Sequence, residues 1–148
     1  MATWLHRITG LGGLPRSVRR LARSEGVREI AEGVRGSMTT RNFRAPGRAN
    51  NFRREGFLGS VVITGQRLMA YSWRRRQINI GLDDPALAAL EVSVPRPGIL
   101  LLAFDAGAFQ PDWSGRVEFR FHTERAALFR EHLVAAGATR LDQDASAD

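Results

Sequence analysis

The chain has 148 residues, enough for one domain that buries roughly 68–70% of its unfolded surface without a disulfide or metal staple. It lacks cysteine, which excludes disulfides, thiol catalysis and thiolate metal sites, and its formal charge of +7 comes from 22 basic residues, all arginine, against 15 acids. No apolar run nears the roughly 20 residues of a bilayer span, and the start MATWLHRITG lacks a signal peptide's apolar core, so a soluble, cytoplasmic protein is expected.

The absence of lysine points to GC-rich coding, so arginine abundance alone says little. Its distribution says more. Through Arg76 there are 16 arginines and 4 acids, whereas from Gln77 onward there are 6 arginines and 11 acids. Coding bias acts on both halves alike; the asymmetry marks the N-terminal half for an anionic partner.

In chain order, residues 1–36 read as a basic, amphipathic helical arm. Trp4, Ile8 and Leu11 fall at helical spacing, Gly12, Gly13 and Pro15 interrupt, and Leu14, Val18 and Leu21 resume the stripe beside Arg16, Arg19, Arg20 and Arg23. Val27, Ile30, Ala31 and Val34 continue a helical period. Residues 37–55 are arginine-rich, polar and aperiodic, the mark of a loop or linker. From Phe57 the texture becomes short strands. FLGSVVIT and RLMAYSW flank a Gly65-Gln66 hairpin, where glycine's access to positive φ is useful, and RQINIGL alternates with Ile78, Ile80 and Leu82 inward.

DDPALAAL offers one helical turn, capped by Asp83 or Asp84 with Pro85 at its first position. LEVSV, ILLLAF and RVEFRFHT supply further strands, with Leu90, Val92, Val94, Val117, Phe119 and Phe121 inward. Thr123 is the expected cap of a last helix that presents Ala126, Phe129, Leu133 and Ala136 on one face, places Glu124 in its first turn and stops at Gly137. Residues 138–148 form an acidic tail expected to be disordered.

Together these elements predict an α+β domain: a small, partly open antiparallel barrel of about six to seven strands, capped by a C-terminal helix and preceded by the helical arm. The order of ITGQRLMAY, INIGLDDPALAALEV, LLLAF and VEFRF before a terminal helix resembles small bacterial pleckstrin-homology-like domains, including the GRAM type. In these a T-x-x-R-L hairpin precedes an I-x-I-x-L strand. The likeness spans residues 56–137. It implies two packed sheets closed at one end by the helix, and a binding or scaffolding role without catalysis. The phosphoinositide pocket of eukaryotic relatives does not carry over, because their long, basic first hairpin loop is here only Gly65-Gln66 before Arg67.

Two features are candidates for contact with an anionic membrane surface. One is the arm, through Trp4, Ile8, Leu11, Arg16, Arg19, Arg20 and Arg23, which fits an interfacial helix. The other is the run Trp73, Arg74, Arg75 and Arg76, placed at a strand-to-strand turn. The bland readings are that the arm packs on its own barrel or on a second copy, and that the turn is simply solvated. An acid-free, arginine-bearing start also suits a transit peptide, but no cleavage site is evident.

Two alternatives stay open: a protein-interaction or self-association domain, in which the chain is a homo-oligomer, and nucleic-acid binding. The latter would use Arg41, Arg44, Arg48, Arg53 and Arg54 interleaved with Phe43 and Phe52. Catalytic residues, a cofactor and a metal are not expected. His6, His122 and His132 lack metal spacing, Gly10 to Gly13 follow no strand, and no serine sits in a nucleophile elbow.

Overall fold

The structure, a computed structural model, describes residues 13–141. The expectations for Trp4, Ile8 and Leu11, and for the tail from residue 142 onward, lie outside the described residues. The rest is α+β. Helix α1 (Arg16–Glu25) leads into β1 (Val27–Ala45), β2 (Arg48–Thr64), β3 (Arg67–Ser72), β4 (Arg75–Gly81), β5 (Glu91–Arg96), β6 (Ile99–Asp105) and β7 (Ser114–His122), then α2 (Ala126–Ala136) and β8 (Thr139–Arg140). Single 3₁₀ turns occupy Pro85–Ala89 and Ala106–Ala108. One sheet in the order β4-β3-β2-β1-β7-β6-β5-β8 curls into a half-barrel. Only β8 pairs in parallel, on β5.

Strand alternation sorts side chains onto an inner and an outer face. Val61, Ile63, Leu68, Leu100, Leu102 and Phe121 point inward and are fully buried, and Ala126, Phe129 and Leu133 of α2 join the same core. Burying each large apolar side chain contributes about 1.5–3 kcal/mol, so this end carries the fold. On the outer face of β2 and β3, Val62, Met69 and Tyr71 receive Leu14 and Ala22 from the α1 segment, with Val18 and Ile30 alongside. Within the described part of the helical arm, one ten-residue helix packs on its own sheet. Leu21, expected in its apolar stripe, is exposed.

Several expectations are corrected. Residues 27–36 are strand, not helix. Register shifts between Val27 and Glu29 and between Ala31 and Val34 mark bulges, with Gly33 at φ +69°. Extra residues break the two-residue period, so Ile30, Ala31 and Val34 imitate a helical spacing. Residues 37–55 are likewise no linker. They form the far halves of β1 and β2, joined through Pro46 and Gly47, the latter at φ +75°. Their ladder is set by the backbone, so arginine on both faces hides no strand once the hairpin extends past the core.

The strand count is eight rather than six to seven. The additions are β1, read as helix and linker, and β8, where the tail was expected to begin; Thr139 of β8 donates its N–H to the Leu90 carbonyl (2.9 Å) and its hydroxyl to that of Ala88 (2.8 Å). The Gly65-Gln66 hairpin forms without positive φ at Gly65. The Thr64 hydroxyl closes it instead, accepting from the N–H groups of Gln66 (3.1 Å) and Arg67 (3.0 Å). Thr123 accepts from the Arg125 N–H (3.1 Å) but precedes the helix, whose N-cap is Arg125, so Glu124 lies before the first turn. Asp84 does cap its turn, accepting from the Ala86 N–H at 2.8 Å. Ile78, Ile80, Val117, Phe119 and Phe121 are buried as read from alternation, and Gly137 ends α2.

Candidate functional site

Away from α2, the core continues through Ile78, Ile80, Val117 and Phe119 and then gives way to an open cleft. β2 pairs with β3 through Gly59–Ile63, while β1 continues along β2 to Ala45 and Arg48 and along β7 to Arg44 and Ser114. The β1–β2 hairpin thus projects past the β3–β4 turn, where the Trp73 N–H donates to the Leu58 carbonyl (2.7 Å). Between the hairpin, β4 and the 106–113 loop lies a cleft of about 750 Å³. None of its lining comes from α2.

Local backbone devices shape this cleft. Asn42 sits at φ +51°, a conformation that asparagine tolerates better than most residues. It lets Thr40 and Phe43 both turn toward the cleft although they are three residues apart. Opposite, Gly115 at φ +106° passes so close to β1 that an added Cβ would lie 2.5 Å from the Asn42 oxygen and 2.7 Å from the Phe43 Cα. Only glycine meets both conditions. The Thr40 hydroxyl donates to Asn50 Oδ1 (2.9 Å) across the hairpin. Trp113 meets Phe43 edge-on at 5.5 Å, and Phe109 meets Phe104 at 5.1 Å, so the aromatic loop packs on the end of the half-barrel.

The floor is apolar, with Met38, Ile78, Ile80, Phe104, Val117 and Phe119, and the rim is cationic, with Arg48, Arg53, Arg75 and Arg76 against the one carboxylate of Glu55. Arg53 pairs with Glu55 at 3.1 Å. Arg48 lies over the Phe43 ring at 5.4 Å. Among the described residues Arg48, Arg75 and Arg76 have no carboxylate partner. Arg76 also reaches toward Tyr71: burial pushes the Tyr71 phenol up, and the Arg76 charge offsets part of that rise.

The sequence-derived residues divide accordingly. Trp73, at φ +61° and 46% exposed, and Arg74 make the turn, while Arg75 and Arg76 open β4 and enter the cleft wall. Arg16, Arg20 and Arg23 are exposed on α1, on the outer face, and Arg19 is paired with Glu32. Hence the arginines of α1 lie on the outer face, away from Arg75 in the cleft wall, while Arg76 stands between the two, lining the cleft and reaching outer-face Tyr71. The segment read as a linker supplies the other half of the rim instead.

Within that segment, Phe43 is buried and Arg44 is occupied, donating to the carbonyls of Phe43 (2.8 Å) and Asn50 (3.0 Å) and to Asn51 Oδ1 (3.0 Å). Phe52 is 57% exposed under Arg41. Sequence reasoning missed the cleft because its walls come mainly from three separate segments, 38–55, 75–80 and 104–119; the Pro46-Gly47 pair, a turn signal between arginine-rich runs, was the available clue.

A second set of charges is structural. On the outer face Glu118, 8% exposed at its side chain, meets Arg116 (2.7 Å), Arg120 (3.2 Å) and Arg41 (3.5 Å), and Arg116 also meets Glu91 (2.9 Å). Burial raises the Glu118 pKa, but the Arg116 hydrogen bond and the charges of Arg120 and Arg41 outweigh it and hold the carboxyl below its ordinary value. Glu25 ends α1 with Arg67 at 2.7 Å and the Thr64 hydroxyl donating at 2.8 Å; there too burial is outweighed and the carboxyl stays low. Buried Glu29 of β1 is bound by Arg125 at the start of α2.

Among the described residues no cluster of three metal-ligating side chains occurs, and no helix is long and apolar enough to cross a membrane. The chain matches no protein-family model and no curated protein.

Proposed function

We propose that the protein is a non-enzymatic, pleckstrin-homology-like binding module that associates peripherally with anionic membrane surfaces. The single observation behind this reading is the convergence of Arg48, Arg53, Arg75 and Arg76 around one cleft with only Glu55 to oppose them. Phe52, next in sequence to Arg53, and Trp73, in the turn before Arg75, are exposed, and aromatic side chains of this kind settle at a membrane interface beside basic residues. The curled sheet and terminal helix favour the pleckstrin-homology-like assignment, with one continuous sheet where the resemblance implied two.

The principal contact lies at this end of the sheet rather than on α1, because Leu14, Val18 and Ala22 of the α1 segment are spent on Val62, Met69 and Tyr71. Arg16, Arg20 and Arg23 offer a smaller basic patch on the outer face. Co-sedimentation with phosphatidylserine-containing vesicles tests the reading: binding should rise with anionic lipid and weaken with salt. Equal retention on neutral vesicles would overturn it.

Self-association is the second reading, and one observation favours it. Residues 48–57 of β2 pair with β1 alone among the described residues, leaving a strand edge open to another chain. Light scattering across concentration decides it; a monomer at every concentration removes it.

A further inference from the structure

We infer that the cleft is a binding site for one molecule of a single-chain anionic amphiphile, its acyl chain lying on Ile78, Ile80, Phe104 and Val117 and its carboxylate or phosphate held by Arg53, Arg75 and Arg76. This goes beyond surface association, since the ligand is a dissolved monomer and needs no bilayer.

Three features carry the inference. First, a volume of about 750 Å³ falls in the roughly 300–1,000 Å³ range of small-molecule sites. Ile78, Ile80 and Val117 are 4–8% exposed, so the apolar floor is a narrow strip that an aliphatic chain would cover. Second, polarity is segregated: the apolar residues come from the inner positions of β4, β6 and β7, and the arginines from the hairpin and the start of β4. That separation matches a molecule with one apolar and one charged end.

Third, the charge is unbalanced. Arg75 and Arg76 have no carboxylate partner among the described residues, and Arg53 shares Glu55. Guanidinium groups bind carboxylate or phosphate through paired N–H donors, and an incoming anion would relieve their mutual repulsion. The same imbalance disfavours a cationic or neutral occupant.

The test uses the full chain and 11-(dansylamino)undecanoate below its aggregation concentration, with its methyl ester as the uncharged control and oleate as the displacing ligand. Saturable one-to-one binding with a blue-shifted emission, displaced by oleate and at least about tenfold weaker for the ester, is expected, since charged hydrogen bonds contribute on that order. The exposed-rim variant Arg53→Gln/Arg75→Gln/Arg76→Gln should weaken binding by a similar factor while keeping its unfolding midpoint. Ile78→Trp, which fills the floor, should also abolish it, with circular dichroism checking the fold.

No saturable binding, equal affinity for the ester, or unchanged affinity in the rim variant would overturn the inference. Monomer binding without vesicle binding would uphold it and overturn the surface reading. Vesicle binding without monomer binding would do the reverse.

Discussion

The two ends of the half-barrel are built on the same strands and differ in what those strands present inward. Around α2, the inner positions carry Leu100, Leu102, Phe121, Phe129 and Leu133, all fully buried. Around the β1–β2 hairpin they carry Thr40, Asn50, Arg53 and Glu55 beside a cleft. Backbone pairing continues through both ends, so the hydrogen-bonded ladder does not require a filled core. One end can be given to stability and the other left free for recognition.

Mutation should separate the ends most sharply at the aromatic core. Phe129→Ala or Phe121→Ala leaves a cavity in the fully buried core, and should lower unfolding free energy by about 3–5 kcal/mol in urea titration. A loss below about 1 kcal/mol would break the contrast between the ends. Glu118→Gln comes next, at about 1–3 kcal/mol near neutral pH, because it removes the charge that satisfies buried parts of Arg116 and Arg120.

Its pH dependence has a fixed sign. A carboxyl whose pKa is lowered in the folded state stabilises above its unfolded value of about 4.3 and loses that contribution as pH falls through the folded value. Wild-type thermal midpoints should therefore drop on acidification below about pH 4.3, and the Glu118→Gln variant should show a shallower drop. Parallel acid limbs for the two proteins would remove Glu118 from the account.

Gly115→Ala sits between the regions. Its positive φ and the 2.5 Å approach to Asn42 predict a loss above about 1 kcal/mol. Because the strain falls on the wall that carries Phe43, amphiphile affinity should fall along with the melting temperature. Smallest is the stability effect of Arg75→Gln or Arg76→Gln, within about 0.5 kcal/mol, since both are exposed and unpaired with acid. A larger stability change would make these arginines part of the scaffold.

Much of the scaffold was legible because alternation is a local signal. Ile78 and Ile80, and Val117, Phe119 and Phe121, announce their strands and their buried face. What failed was also physical. Two bulges in β1 gave Ile30, Ala31 and Val34 a helix-like spacing, and the hairpin beyond the core has no apolar face to alternate. The Thr123 cap was misplaced by two residues because its hydroxyl closes the turn before α2.

Of the candidate site, Arg75 and Arg76 were legible but their partners were not. The basic charge of the N-terminal half suggested the helical arm, whereas the cleft brings them beside Arg48 and Arg53. The apolar stripe of α1 is amphipathic for an ordinary reason: it covers Val62, Met69 and Tyr71. Nothing local in a sequence distinguishes an amphipathic helix that meets a sheet from one that meets a lipid surface.

The central claim is that recognition belongs to the hairpin end and not to α1. Vesicle co-sedimentation of two charge-matched variants, Arg53→Gln/Arg75→Gln/Arg76→Gln and Arg16→Gln/Arg20→Gln/Arg23→Gln, tests it most directly. The account predicts at least about a tenfold loss of binding to anionic vesicles for the first, on the scale of three lost phosphate contacts, and less than about threefold for the second. Equal losses, or the larger loss in the helix variant, would contradict it.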